Sequence, residues 1–455
     1  MKSQILYFSL VLLLFCTCQP NRKTDAKING KVGKITIIQL NPTHGHASAS
    51  QNEQLSQLDT NVYIYAPEKA PLDEYTERIT SWNSRKDNPT KWNQVTYIGN
   101  DFLEKMVQEK KGNVVVLAGN NKLKIKYITS SVDAGMNVFS DKPMVIDKAG
   151  FEELINAYAS AEKKGVLLFD MMTERYSLLN KVQKSLMQDT LLFGKIQQGT
   201  PDRPAIMESS VHHYYRGGKG TRPFWFFDVS QQGEGIADVT THLIDLTFWK
   251  AFPDEIIDYK KDIKVLSAKH WPVNITRTEF FTATSLTEIP ASLNQYKKDT
   301  ILEVFANGSI NYQIKGINAG VKVEWRAATP KNGNDLRSAY SRGTKATLMI
   351  SQTDGQKRPG LTIQKEGNIS EKDFQLNLKK ALSHLNSSYP GISFSAGPEY
   401  TEIVIPSDLE LSHDQTFKVF TGHLENGKFP EWEVPNTIAK YYITTTALEM
   451  AKENK

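Results

Sequence analysis

Apolar and polar positions along the first 172 residues alternate between two textures. Short runs that are apolar on both faces occur at Lys34–Leu40, Asn61–Ala66, Gln94–Ile98, Asn113–Ala118, Met136–Ser140 and Val166–Met171. Between several of them lie stretches with helical spacing, notably Asp101–Glu109, Lys122–Ala134 and Lys148–Lys163. Strands buried on both faces and separated by helices predict a parallel, doubly wound sheet, that is, a Rossmann-like domain. Pro71–Trp92 shows neither period and reads as an insertion ahead of the third strand.

After Met172 the texture changes. A helix over Tyr176–Met187 leads into longer alternating runs such as "AIMESSVHHYY", "TRTEFFTATS" and "GVKVEWRAA". Period-two alternation predicts antiparallel strands with one buried and one exposed face. A helical pattern interrupts them at Ile236–Trp249, and the tail returns to helix at Glu371–Ser387 and Asn436–Lys452. The expected fold class is therefore α/β plus α+β: an N-terminal Rossmann-like parallel sheet, then a mostly antiparallel sheet domain with helices on one face. The expected boundaries are a signal over 1–18, a tether over 19–33, a nucleotide-binding domain over 34–172 and a substrate domain over 173–455. The last hundred or so residues read as a C-terminal extension.

The start of the chain adds a location. Lys2 precedes a short apolar run, Ile5–Phe15, which is too short to span a bilayer comfortably and fits a secretory signal. Cys16 and Cys18 are the only two cysteines, and Cys18 before a polar stretch is similar to the lipidation site of bacterial lipoproteins. The expectation is an exported protein of the bacterial cell envelope, held to the membrane by a lipid on Cys18. Beyond Cys18 there is no thiol for a disulfide, a thiolate metal site or a cysteine nucleophile. A net charge of +5 without a concentrated basic cluster argues against nucleic acid as a partner.

The first strand leads into "LNPTHGHASAS", where a nucleotide-binding domain places its phosphate loop. Only Gly45 stands where such loops carry several glycines, and His44 and His46 flank it. The acidic residue that would meet a ribose, Glu68, comes late after the second strand, so NAD and NADP stay undistinguished. A metal at His44-x-His46 needs further ligands. The other histidine pair, His212–His213, sits on an alternating strand that sends neighbouring side chains to opposite faces, so no metal is expected.

Two further stretches resemble a known family. "MNVFSDKPMVID" puts Asp141-Lys142-Pro143 at the end of the fifth strand, and "GEGIADVTTHLIDLTFW" carries Asp238, His242 and Asp245. They are similar to the Glu-Lys-Pro and Asp-x-x-x-His-x-x-Asp motifs of the glucose–fructose oxidoreductase / inositol dehydrogenase (Gfo/Idh/MocA) family. Gly119-Asn120 falls where that family commonly has Thr-Pro-Asn, and Arg175 matches an arginine opening the linking helix. The resemblance covers roughly Lys34–Phe252.

It implies a nicotinamide cofactor, NAD or NADP, held by His44, Gly45, His46, Glu68, Gly119, Asn120, Lys142 and Arg175. It implies a catalytic set of Lys142, Asp238 and His242. His242 titrates near neutral pH and suits transfer of a hydroxyl proton; Lys142 would polarise the reacting oxygen. Tyr214, Tyr215, Arg216 and Trp225, with Asp245, are the expected substrate contacts. The expected partner is a carbohydrate, and a homo-oligomer through the sheet domain is open. The expected reaction is hydride transfer from a sugar-type alcohol to a tightly held cofactor. Two alternatives stay open: a redox-assisted glycoside hydrolase, and a carbohydrate-binding lipoprotein without catalysis.

Overall fold

The computed structural model describes residues 34–216, 220–328, 334–406 and 415–453. The expected signal, the tether and Cys18 lie outside the described residues. No described helix is long and apolar enough to cross a membrane.

Six parallel strands form the first sheet: β1 (Ile35–Leu40), β2 (Leu58–Ala66), β3 (Asn93–Ile98), β4 (Val114–Leu117), β5 (Asn137–Asp141) and β6 (Leu168–Met171). Their order, β3-β2-β1-β4-β5-β6, is the doubly wound arrangement. β4 is the run VVVL with all four residues buried, as a strand covered on both faces requires. The crossovers are α1 (Asp73–Ser84), α2 (Phe102–Glu109), α3 (Asn121–Asp133) and α4 (Lys148–Lys164). α4 shows why these stretches are helical. Asp147 caps its start by accepting from the Gly150 N–H, and Gly165, at φ 67°, ends it behind Lys163 and Lys164. The segment read as an insertion contains α1, whose Tyr75 and Ile79 are buried. It is a crossover helix that its polar composition conceals.

α5 (Leu178–Gln188) leads to the second sheet. Its strands are β7 (Ile206–His213), β8 (Ile263–Thr276), β9 (Lys297–Lys298), β10 (Ile301–Ile314), β11 (Ile317–Arg326), β12 (Leu336–Arg342), β13 (Ala346–Ser351), β14 (Gly360–Lys365), β15 (Ser393–Ala396) and β16 (Thr401–Val404). The order is β15-β16-β14-β13-β12-β7-β11-β10-β8, antiparallel throughout except where β7 meets β11, with β9 beside β10. The remaining helices are α6 (Val229–Gln232), α7 (Thr240–Ala251), α8 (Arg277–Thr284), α9 (Glu371–Ser388), α10 (Gln415–Asn426) and α11 (Glu433–Glu453).

The tail is not an appendage. α10 returns to the first sheet, where Phe417 and Phe420 pack on Phe139 of β5, and Phe420 also meets Phe169 of β6. Burying each such ring contributes about 1.5–3 kcal/mol. α11 lies between the two sheets: Tyr441 belongs to the first domain's core, while Ala439, Ile443 and Leu448 belong to the second's. A boundary at 173 therefore separates the sheets but not the cores.

A buried ionic network joins the same elements. Lys440 Nζ lies 2.8 Å from Asp170 Oδ2 and 3.2 Å from Asp245 Oδ1. Arg175 grips Asp245 with two hydrogen bonds, of 2.7 and 2.6 Å, and Glu433 with two more of 2.9 Å. Burial would raise the Asp245 carboxyl, but Arg175 and Lys440 outweigh it and hold it below the usual range. Removing one member leaves an opposite charge buried and unpaired. Lys440→Ala is expected to destabilise the protein by about 3–5 kcal/mol, read as a lowered urea midpoint; a midpoint unchanged from wild type would refute this role.

Candidate active site

Because the first sheet is parallel, Leu40, Leu117 and Asp141 end at one edge, and the site is built there. β1 runs into Asn41 and then a 3-10 turn over Gly45–Ser50, not an α-helix. Buried Gln39 pins that turn from below: its Nε2 donates to Ala47 O (2.9 Å), Ser50 Oγ (3.1 Å) and Gln51 Oε1 (3.2 Å). The Thr43 and His44 N–H groups donate to Ala118 O at the end of β4. A Cβ on Gly119 would stand 2.7 Å from Thr43 Oγ1 and 2.8 Å from Asn41 O, so only glycine lets the two loops touch.

This turn sets His44 and His46 against Asp141. His46 Nδ1 is 2.9 Å from Oδ1 and His44 Nδ1 is 3.2 Å from Oδ2. Burial would raise the Asp141 carboxyl, yet the two imidazoles hold it well below the ordinary value. Burial also lowers His44.

The next residue reaches the other domain. Lys142 Nζ bonds Asp238 Oδ1 at 2.7 Å, and Gln232 Nε2 donates to the other oxygen at 2.8 Å. Burial would lower the Lys142 ammonium, but Asp238 and then Asp141 more than offset it, so it stays protonated. His242 follows one turn after Asp238. Its Nδ1 is buried without a hydrogen-bond partner among the described residues. Burial first, and the Lys142 charge second, hold this imidazole well below its ordinary value of 6.5, so it is neutral at neutral pH.

These side chains line a cavity of about 340 Å³ together with Gly119, Tyr215, Arg216, Trp225, Phe226 and Trp325. A second hollow of about 410 Å³ continues from it over the Gly45 turn, sharing His44, His46, Arg216, Arg222 and Trp225. The cleft thus brings together His44, His46, Gly119, Lys142, Tyr215, Arg216, Trp225, Asp238 and His242, with Gly45 on its rim.

Five expected site residues lie elsewhere. Arg175 and Asp245 do not line the cavity, because their charges are consumed by each other, Glu433 and Lys440. Tyr214 is 2% exposed, stacked 4.5 Å from Phe227 beneath the wall. Asn120 caps α3 and bonds Gln231 Oε1 at 2.7 Å, fastening α3 to α6. Glu68 is exposed in the loop after β2, and Glu74 and Arg78 of α1 flank the turn in its place. The expectation that His212 and His213 face apart is also corrected. β7 ends at His213, and both rings turn their Nδ1 to Asp335, at 2.9 and 3.3 Å, inside the cleft.

The sequence reading missed Arg222. Its guanidinium lies 4.6 Å from the Phe226 ring and 5.3 Å from that of Trp325. It donates to His213 O at 2.9 Å, and burial lowers it to about 10. The signal was present in "TRPFWFF", a cation beside an aromatic run.

A doubly wound sheet whose strand ends face a second, mostly antiparallel sheet across a cleft defines the two-domain architecture of the Gfo/Idh/MocA oxidoreductases. A family model described as "Putative oxidoreductase C terminal domain" matches residues 182–452. A crystal structure of a "putative oxidoreductase" from Parabacteroides merdae ATCC 43184 is 40% identical, with a TM-score of 0.89, over 93% of this chain and 98% of that one. The chain belongs to this oxidoreductase family. A levoglucosan dehydrogenase in complex with NADH and levoglucosan shares the fold, with a TM-score of 0.59 at 12% identity over 93% of this chain and 98% of that one. The Bacillus subtilis (strain 168) protein "Putative oxidoreductase YteT" is 26% identical over 163 residues, which is 35% of this chain and 35% of the relative's length.

Keeping His242 neutral has a stability consequence. Below pH 6.5 the unfolded chain takes up a proton at this position that the folded chain refuses, so stability falls as pH drops; above it the residue contributes no slope. Urea midpoints at about pH 5 and about pH 7.5 should therefore converge in His242→Asn relative to wild type. An unchanged difference would exclude a buried neutral imidazole.

Proposed function

We propose that this protein is an NAD(P)-dependent oxidoreductase that removes a hydride from a sugar-type alcohol. One arrangement carries the reading: an ammonium locked on a carboxylate from the opposite domain, beside a neutral imidazole on the wall of the same cavity.

The residues fit a dinucleotide. The hollow over the Gly45 turn follows the strand ends, where such cofactors lie. The Thr43, His44 and Ala47 N–H groups of its turn are spent on protein carbonyls, but Arg78, Arg216 and Arg222 ring the hollow with guanidinium groups suited to a diphosphate. When bound, the nicotinamide supplies the hydride acceptor.

The chain's own groups supply the proton chemistry. His242, neutral at working pH, takes the hydroxyl proton of the substrate. The Lys142 ammonium donates to the same oxygen and stabilises the alkoxide character that grows as the hydride leaves. Asp238 holds Lys142 on line, and Gln232 holds Asp238. Trp225, Phe226, Tyr215 and Trp325 offer flat apolar faces for a sugar ring, and they exclude water from the reacting carbon. The signal-like start and Cys18 support an exported enzyme, which would retain its cofactor through successive turnovers.

Titrating NAD and NADP against the protein tests the cofactor, and nicotinamide absorbance with candidate sugars tests the reaction. His242→Gln should lower kcat/KM by about 10²–10⁴-fold while leaving cofactor affinity near wild type. Lys142→Met should lower kcat/KM to a similar extent. Failure of both dinucleotides to bind would overturn the proposal.

A further inference from the structure

The cleft contains a donor set that the oxidoreductase reading does not use. The ligand atoms of His44, His46 and Asp141 all lie within 4.8 Å of one another. Sequence spacing alone left His44-x-His46 short of a further ligand. Asp141, ninety-five residues on from His46, is that ligand, delivered by the parallel sheet.

We propose that His44, His46 and Asp141 form a binding site for a divalent transition-metal ion. Metal–nitrogen and metal–oxygen bonds of about 2.0–2.2 Å, meeting at right to tetrahedral angles, place neighbouring donors about 2.9–3.5 Å apart. The observed separations, 2.9 Å for His46 and 3.2 Å for His44, fall in that range. Imidazole with carboxylate, and no thiolate, selects a borderline ion such as Zn²⁺ or Co²⁺ over a hard one.

Three features support a cation there over a plain hydrogen-bonded trio. Asp141 is 3% exposed, and two imidazoles crowd one desolvated carboxylate. The donors sit on rigid supports: the histidines on the turn pinned by Gln39, and the aspartate at the end of a strand paired with β6 at Met171. Such supports preserve ligand geometry without the ion. Asp141 and Asp238 face the two ammonium groups of Lys142 and the buried Lys124, so the local charge is balanced and a dication meets no net positive charge from these groups.

Three protein donors leave positions open toward both hollows, as catalytic rather than structural metal sites do. A water or an oxygen of a bound ligand would complete the shell.

The test uses the purified, tag-free protein after chelator dialysis, titrated with Zn²⁺ by calorimetry and with Co²⁺ by absorption spectroscopy. One ion per chain is expected, with Co²⁺ giving visible d–d bands. His44→Ala and His46→Ala should each weaken binding on the order of 100-fold, the upper end of what losing even a supporting group costs. Asp141→Asn, nearly isosteric, carries the same expectation should an alanine variant not fold. No binding, or binding that all three variants retain, would overturn the site. NAD titrated with and without Zn²⁺ reports separately on the dinucleotide, so loss of one result leaves the other standing.

Discussion

The arrangement rests on one buried ionic constraint. Arg175, Asp170, Asp245, Glu433 and Lys440 come from β6, the turn after it, α7 and α11, and every one of them is buried. Desolvating five charges is costly, and it is offset only when the pairs are made together. That condition admits one relative placement of the two sheets. The cleft exists because of it: Lys142 hangs from the first sheet and Asp238 from the helix region of the second, and their 2.7 Å contact needs that placement.

Within the cleft, electrostatics assigns opposite states to neighbouring cations. Lys142 keeps its proton because Asp238 and Asp141 flank it; His242 loses its proton because burial and Lys142 act in the same direction. An ammonium donor beside a neutral imidazole is the pairing that the proposed alcohol oxidation uses. The glycine-poor turn has a parallel logic. Where the turn's backbone N–H groups are bonded to Ala118 and His44 carbonyls, guanidinium groups from α1 and from the loop after β7 face the same hollow. The Rossmann frame is kept, and in the proposed reading phosphate binding would pass to these side chains.

Much of the frame was legible beforehand. All six parallel strands are found where apolar runs predict them; β4 and β6 are buried throughout, whereas the edge strand β3 is mostly exposed. α1 was not legible, because a crossover helix with one wetted face and many polar residues carries little periodic signal. The proposed catalytic trio was legible only through motif resemblance; spacing places Asp238 and His242 on one turn but says nothing of Lys142. Arg175 and Asp245 share those motifs and proved to hold the domains together. A short pattern does not distinguish a charge that meets solvent from one that meets another charge.

The local order of apolar and polar residues was sufficient to determine two sheets and most of their strands, because burial periodicity is a property of neighbouring residues; it failed for α1 and for "TRTEFFTATS", read as a strand, which forms α8 behind a Thr276–Glu279 capping box. Contacts spanning the chain were decided only by the tertiary structure. Asp141 meets His46 across 95 positions, Arg175 meets Glu433 across 258, and α10 covers Phe139 from the far end of the sequence. Such pairs are chosen by the shape of the assembled core and by the cost of leaving a buried charge alone, and neither quantity exists until the chain has folded.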